Sequence, residues 1–270
     1  MPGNLALAEE AARKAMALNP RSLEANSALG LVYGQQGKNA ESLRILREAV
    51  ILGPNSVFAW RVLGYIYHYA GLIDLAEAAT RRCRDLDPVP PVAYDLHARM
   101  LLYQGKAHEA ELEVRQALER YPDHPRLLGF LGDFLYNQGK TEEAERVLDR
   151  AVQISGSRGE DDPMIFSAFV HASRGERDKI DPKLLRYKPE ELVDGDAAEW
   201  IGGIYALLGE KQTALVWLRR AVQLGDHNYP WYQRDKNWDK LRGDPEFQRI
   251  MREVEGYWKH YTELFGHGSP

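Results

Sequence analysis

Residues 57–90 read VFAWRVLGYIYHYAGLIDLAEAATRRCRDLDPVP, and the glycine and proline positions of this stretch recur along the chain. A repeat at a fixed interval decides the architecture, so it is sought before anything else. Two series step by 34 residues: the prolines are Pro20, Pro54, Pro88 and Pro122, and the glycines are Gly37, Gly71, Gly105 and Gly139. Gly175 follows after 36 residues and Gly209 after another 34, which predicts one irregular unit between regular ones.

The segments between these residues have helical spacing. Trp60, Leu63 and Tyr67 lie three or four residues apart, as on one face of a helix. Each glycine of the series suits the left-handed conformation that ends a helix. The segment after each glycine again has helical spacing; after Gly139, for example, Ala144 and Leu148 lie on one face. The next proline cannot continue that second helix. Each unit is therefore predicted to be a helical hairpin.

This unit resembles the tetratricopeptide repeat, whose pattern combines large, small and turn residues at fixed places. The matching residues of the quoted unit are Trp60, Leu63, Gly64, Tyr67, Gly71, Ala76 and Pro88. Aligned copies are found at residues 23–56, 57–90, 91–124, 125–158 and 195–228. The resemblance implies an all-α, right-handed superhelical solenoid of helical hairpins with a C-terminal capping helix.

The predicted organisation has five parts: a partial repeat or capping helix at 1–22, four regular units at 23–158, a degenerate repeat with a loop at 159–194, a further unit at 195–228, and an aromatic linker with a capping helix at 229–270. The first part is either a lone cap or the remnant of a longer protein. Pro182 and Pro189 interrupt the degenerate repeat, which either continues the stack in shortened form or is a partner-binding insertion.

The C-terminal helix carries one apolar stripe: Phe247, Ile250, Met251, Val254, Tyr257, Trp258 and Tyr261. The stripe either caps the last repeat or forms a self-association face. Residues 237–247 are similar to the tails of repeat regions in bacterial signalling proteins, which favours a bacterial regulatory origin.

In the family that the chain resembles, the first helix of each hairpin lines a concave face that binds a protein or peptide segment. The resemblance assigns these candidate contact residues: Phe58, Arg61, Tyr65, His68, Tyr69, Asp95, Arg99, Tyr103, Arg126, Phe130, Asp133, Tyr136, Asn137 and Trp200. Aromatic and arginine side chains are common interface anchors. Individual aromatics could instead fill gaps between hairpins.

The arginines Arg61, Arg99 and Arg126 suit an acidic or C-terminal group of a partner, or else they pair locally with aspartates. Some relatives grip the carboxylate of chaperone tails. Ser27 and Leu31 stand where such a clamp would have its first lysine and asparagine, which argues against that role here.

Composition narrows the function further. The net charge of −5 is small for a chain of this size, so no strong field is expected to attract nucleic acid or an anionic membrane, and no apolar run is long enough to predict a membrane span. Cys83 is the single cysteine, which predicts a reducing cytoplasm. No catalytic, metal-binding or cofactor motif occurs, so a non-enzymatic interaction scaffold is predicted. The alternative is the regulatory or substrate-recruiting region of a larger bacterial signalling enzyme or transcription regulator.

Overall fold

The computed structural model describes residues 2–89, 91–155 and 162–267, with side chains from Leu5 onward. The predicted unit boundaries near residues 90 and 158 lie outside these ranges. Within them, fourteen α-helices follow one another without a strand: α1 (Pro2–Leu18), α2 (Leu23–Gln35), α3 (Asn39–Leu52), α4 (Val57–Tyr69), α5 (Ile73–Leu86), α6 (Pro91–Tyr103), α7 (Ala107–Arg120), α8 (Pro125–Asn137), α9 (Thr141–Ser155), α10 (Asp162–Ser173), α11 (Gly195–Leu207), α12 (Lys211–Gln223), α13 (Tyr229–Tyr232) and α14 (Pro245–Phe265).

Consecutive helices pack as hairpins, which confirms the predicted all-α solenoid. Ser56 begins α4 by accepting a hydrogen bond from the Ala59 amide, and Gly71 ends the hairpin turn with a φ of +71°, a conformation that glycine adopts without strain. Gly132 shows why small residues recur between paired helices. A Cβ there would lie 2.3 Å from the Leu148 side chain, so glycine lets α8 and α9 approach closely.

Two large hydrophobic cores, and a small one around Leu29 and Tyr33, fill the described part of the molecule. The larger runs through α3–α10 and includes Tyr261 and Phe265 from the end of α14. The second joins α11 and α12 to the apolar stripe of α14, together with Tyr232 and Trp238. Most of the α14 stripe is therefore buried against its own chain. The part of the chain from α11 to α14 forms one packed C-terminal unit.

Residues 174–194 connect α10 to this C-terminal unit. They contain three short 3₁₀ turns, at Arg177–Lys179, Leu184–Arg186 and Pro189–Glu191, where the regular repeats have a second long helix. Ile180 and Leu184 are buried in the larger core, so the connection is fastened to the solenoid.

The C-terminal unit returns to the early repeats and closes the solenoid into a ring. Arg47 on α3 donates to the Phe265 carbonyl oxygen at 3.4 Å and lies over the Phe265 ring. Asn39 Nδ2 donates to the Gly225 carbonyl oxygen at 2.7 Å. These contacts join residues about two hundred positions apart, a closure that the 34-residue periodicity does not predict. None of the helices in the described ranges has the length and apolarity to span a bilayer.

Candidate partner-binding site

The inner part of the concave surface is occupied by residues 226–238 of the same chain, here called the inner segment. It crosses the C-terminal ends of α4, α6 and α8 in turn. The His227 amide donates to the Tyr69 carbonyl oxygen at 2.8 Å, and Arg234 Nη1 donates to the Tyr103 carbonyl oxygen at 3.0 Å. Because the last carbonyls of a helix lack intrahelical donors and carry partial negative charge, amide and cationic donors stabilise them.

Side chains of the inner segment complete the fit. Trp231 contacts the Tyr103 ring with centroids 4.6 Å apart, and the Tyr136 hydroxyl donates to Asn237 Oδ1 at 3.0 Å. Tyr232 and Trp238 are fully buried, and Trp238 Nε1 donates to Glu199 on α11 at 3.0 Å. These anchors make the inner segment part of the core.

Arg99 is buried where α6 meets α11, a contact here called the seam. Its Nη2 donates to Asp196 Oδ2 at 2.8 Å, which joins α6 to α11. The guanidinium group also lies over the rings of Tyr103, Phe130 and Trp200, at 5.7, 5.5 and 5.3 Å from their centroids. Burial acts to lower the pKa of Arg99, but the neighbouring Asp196 and Tyr103 raise it well above its usual range. Arg99 therefore stays charged within the seam.

Further carboxyl groups are buried along this seam. Burial, with the charge of nearby carboxylates, raises the pKa of Asp133 and of Asp226 to about 7. Burial also raises the pKa of Asp235 to about 6 and that of Glu199 well above its ordinary value. The seam thus has more carboxyl groups than cations to neutralise them, and the protonated forms of some of these groups are favoured.

The opposite end of the concave surface remains accessible. Here called the outer mouth, it is formed by Phe58, Arg61 and Tyr65 along α4, and by Asp95, Arg126, Asp162 and Asp194, which lie in or just before the first two turns of α6, α8, α10 and α11. Phe58 is 40% exposed, and the Tyr65 hydroxyl donates to Asp194 Oδ2 at 3.1 Å. Arg126 bridges Asp95 and Asp162.

The fourteen predicted contact residues differ in their exposure. Nine are buried: His68, Tyr69, Asp95, Arg99, Tyr103, Phe130, Asp133, Tyr136 and Trp200. Five keep accessible surface: Phe58, Arg61, Tyr65, Arg126 and Asn137. The prediction does not include the own-chain occupant of this surface, and the assignment of these residues to a partner stays a prediction. It also omits Asp162, the first residue of α10, and Asp194, which caps the start of α11.

The arginines of the surface are already paired within the chain. Arg99 binds Asp196, and Arg126 binds Asp95 and Asp162, so local Arg/Asp pairing describes both. Arg61 lies over the Phe58 ring at 5.3 Å from its centroid. The hypothesis that these three arginines together receive an acidic group is therefore weakened. In the described part of the chain, no three histidine, cysteine or acidic side chains are arranged to hold a metal ion.

Comparison with solved structures places the fold among known repeat proteins. A tetratricopeptide repeat protein from Parabacteroides merdae superposes with a TM-score of 0.58 at 17% identity, covering 96% of this chain and 93% of that one. The APC/C hetero-tetramer Cut9-Hcn1 gives 0.58 at 14% identity, covering 93% and 45%. MamA gives 0.50 at 21% identity, covering 58% and 92%. At these identities the likeness concerns the fold alone.

A search of curated proteins found no match. The family model described as "Tetratricopeptide repeat" matches residues 3–57, 27–89 and 96–159, which together make up more than half of the chain. The matched stretches include consecutive helical hairpins of the structure, and the chain belongs to the tetratricopeptide repeat family.

Proposed function

We propose that this chain is a non-enzymatic protein-interaction scaffold that binds a segment of a partner protein at the outer mouth. Tetratricopeptide repeat proteins bind protein or peptide partners, and the outer mouth is the accessible part of the surface that the family uses. The observation that carries the proposal is the half-exposed Phe58 beside Arg61 and Tyr65 on one face of α4. Aromatic and arginine side chains in a concave setting are common anchors of protein interfaces.

The inner part of the concave surface is less suited to a partner. Its own inner segment would have to leave, and that would expose Tyr232 and Trp238, which are fully buried. Removing one such large aromatic from a core typically costs about 3–5 kcal/mol. A peptide would have to recover that cost for both residues. We therefore propose that the partner binds at the outer mouth and that the inner segment stays packed in the core.

Self-association through α14 is not part of this proposal, because most of its apolar stripe packs within the chain. A recruiting role within a larger bacterial signalling protein would use the same outer mouth, and the following experiment bears on either role.

A random-peptide library displayed on phage and selected on the wild-type chain tests the proposal. We expect selected peptides to bind the Phe58→Ala/Arg61→Ala variant about tenfold or more weakly, a loss of about 1.4 kcal/mol or more, because two accessible anchors are removed. The matched control is Arg44→Ala/Ile51→Ala, two exposed residues on α3. Fluorescence anisotropy measures affinity, and circular dichroism checks folding. Equal affinity for all three proteins would move the binding site elsewhere.

A further inference from the structure

The outer mouth and the seam below it contain more negative than positive groups. Four carboxyl groups lie close enough to influence one another, those of Asp95, Asp162, Asp194 and Asp196. Two guanidinium groups lie among them: Arg99 is bound to Asp196, and Arg126 to Asp95 and Asp162. Arg61 stands at the rim over Phe58. Even with this rim cation counted, the site has one more carboxyl group than guanidinium groups.

One oxygen of this cluster has no partner. Asp95 is fully buried, and Arg126 binds its Oδ2, yet its Oδ1 has no hydrogen-bond partner within the described residues. A buried carboxylate oxygen left without a donor is costly, and such atoms are normally satisfied. Its immediate neighbours, Arg126 and Asp162, are both partly accessible at the mouth. A hydrogen-bond donor that enters the outer mouth at this point would lie beside Asp95, whose Oδ1 lacks a donor.

Desolvation and nearby negative charge also raise the pKa of two other carboxyl groups of this site, those of Asp194 and Asp162. Partial desolvation and the nearby Asp196 raise the pKa of Asp194, although Tyr65 donates a hydrogen bond to it. Burial raises the pKa of Asp162 in spite of its contact with Arg126. The cations of the chain therefore do not fully neutralise this site, and an added cation would stabilise the charged forms of the carboxylates.

The walls of the mouth suit a long cationic side chain. Phe58 and Tyr65 offer aromatic surface on which an aliphatic stem can lie, and the Tyr65 hydroxyl donates a hydrogen bond to Asp194. A carboxylate ligand would meet unneutralised aspartates instead, at an electrostatic cost.

We propose, building on the function assigned above, that the outer mouth recognises a lysine or arginine side chain of the partner segment. The aspartate cluster binds the cationic head, and the rings of Phe58 and Tyr65 contact its stem. The partner is thus a protein segment with at least one basic residue among apolar ones.

The peptides selected on the wild-type chain are the probes for this proposal. Each is resynthesised with its lysine or arginine changed to glutamine, and we expect the affinity to fall about tenfold, with the original peptides binding more weakly as salt rises. Asp194→Asn should weaken the original peptides about fivefold, because asparagine keeps the helix cap of α11 but not the charge. The control is Asp149→Asn, an exposed aspartate on α9.

The outcomes separate the two proposals. Peptides that depend on Phe58 and Arg61 but bind equally well after loss of their basic residues would overturn the basic-ligand proposal and leave the scaffold function standing. Peptides that bind the Phe58→Ala/Arg61→Ala variant as tightly as the wild type would overturn both. A dependence on Asp194 together with a basic residue in the peptide supports both.

Discussion

Replacing Arg99 with methionine is expected to lower the free energy of unfolding by about 3–5 kcal/mol, the usual cost of removing one partner of a buried ion pair. Methionine fills much of the arginine volume but leaves Asp196 buried without its cation. His68 Nε2 lies 3.6 Å from Asp196 Oδ1, but burial lowers the pKa of His68 well below its usual range, so it is a poor substitute for the lost charge.

The loss should concentrate in the C-terminal unit, because Arg99 is the charged link between α6 and α11. Five of the six tryptophans lie at residues 200–258, so their fluorescence reports on this unit while circular dichroism reports on all helices. Urea unfolding followed by both signals is the measurement. Since repeat proteins need not unfold in one step, the tryptophan transition should move to lower urea first.

Two controls define the result for Arg99. The double variant Arg99→Met/Asp196→Asn removes both charges and should recover part of the loss. Arg150→Met breaks the exposed pair with Asp123 and should cost less than about 1 kcal/mol. A cost for Arg99→Met as small as that of Arg150→Met would show that the seam does not hold the C-terminal unit in place.

The second large effect concerns pH. The carboxyl groups of Asp133 and Asp226 have a pKa of about 7 in the folded chain, above the values near 4 of an unfolded chain. A raised carboxyl pKa contributes stability that is complete below the unfolded value and is lost as pH rises through the folded value. With Glu199 raised as well, stability should fall by about 2 kcal/mol between pH 6.5 and pH 8.0.

The carboxyl groups dominate this pH window. Burial lowers the pKa of His227 to about 4 and that of His68 well below its usual range, so each still adds about 0.4 kcal/mol of stability above pH 6.5, which is less than the expected loss. Glu111, whose pKa its hydrogen bonds lower to about 2 against the effect of burial, matters only in acid. Thermal unfolding at the two pH values is the test, and Asp226→Asn should reduce the difference. A chain equally or more stable at pH 8.0 would contradict the assigned burial of these groups.

The helical hairpins can be predicted from the sequence because the residues that determine them lie close together in the chain. Gly71 stands at a turn that requires a positive φ, and Gly132 faces Leu148 across one hairpin, so spacing within a single unit predicts both. The candidate surface follows from the family resemblance, which places first-helix residues such as Tyr65 and Tyr69 on the concave face. Both inferences depend on neighbours within a repeat or between adjacent repeats.

The occupant of the concave surface was not predictable from periodicity. His227 meets Tyr69, and Asn237 meets Tyr136, across more than a hundred residues and outside the repeat pattern. The aromatic residues after residue 228 indicated burial but not which surface would bury them. The family resemblance predicts Asp95 and Arg99 as contact residues because first-helix positions line the groove of an open solenoid. In this chain both residues are buried, because the solenoid closes.

The solenoid closes on itself, and the inner segment fills one end of the concave surface while the outer mouth stays accessible. The direct test is a spin-label distance between Glu48→Cys on α3 and Leu264→Cys on α14, two exposed positions beside the Arg47–Phe265 contact, in a Cys83→Ala background. The closed ring predicts a single short and narrow distance distribution. A long or broad distribution, as from an open solenoid with its ends apart, would contradict it.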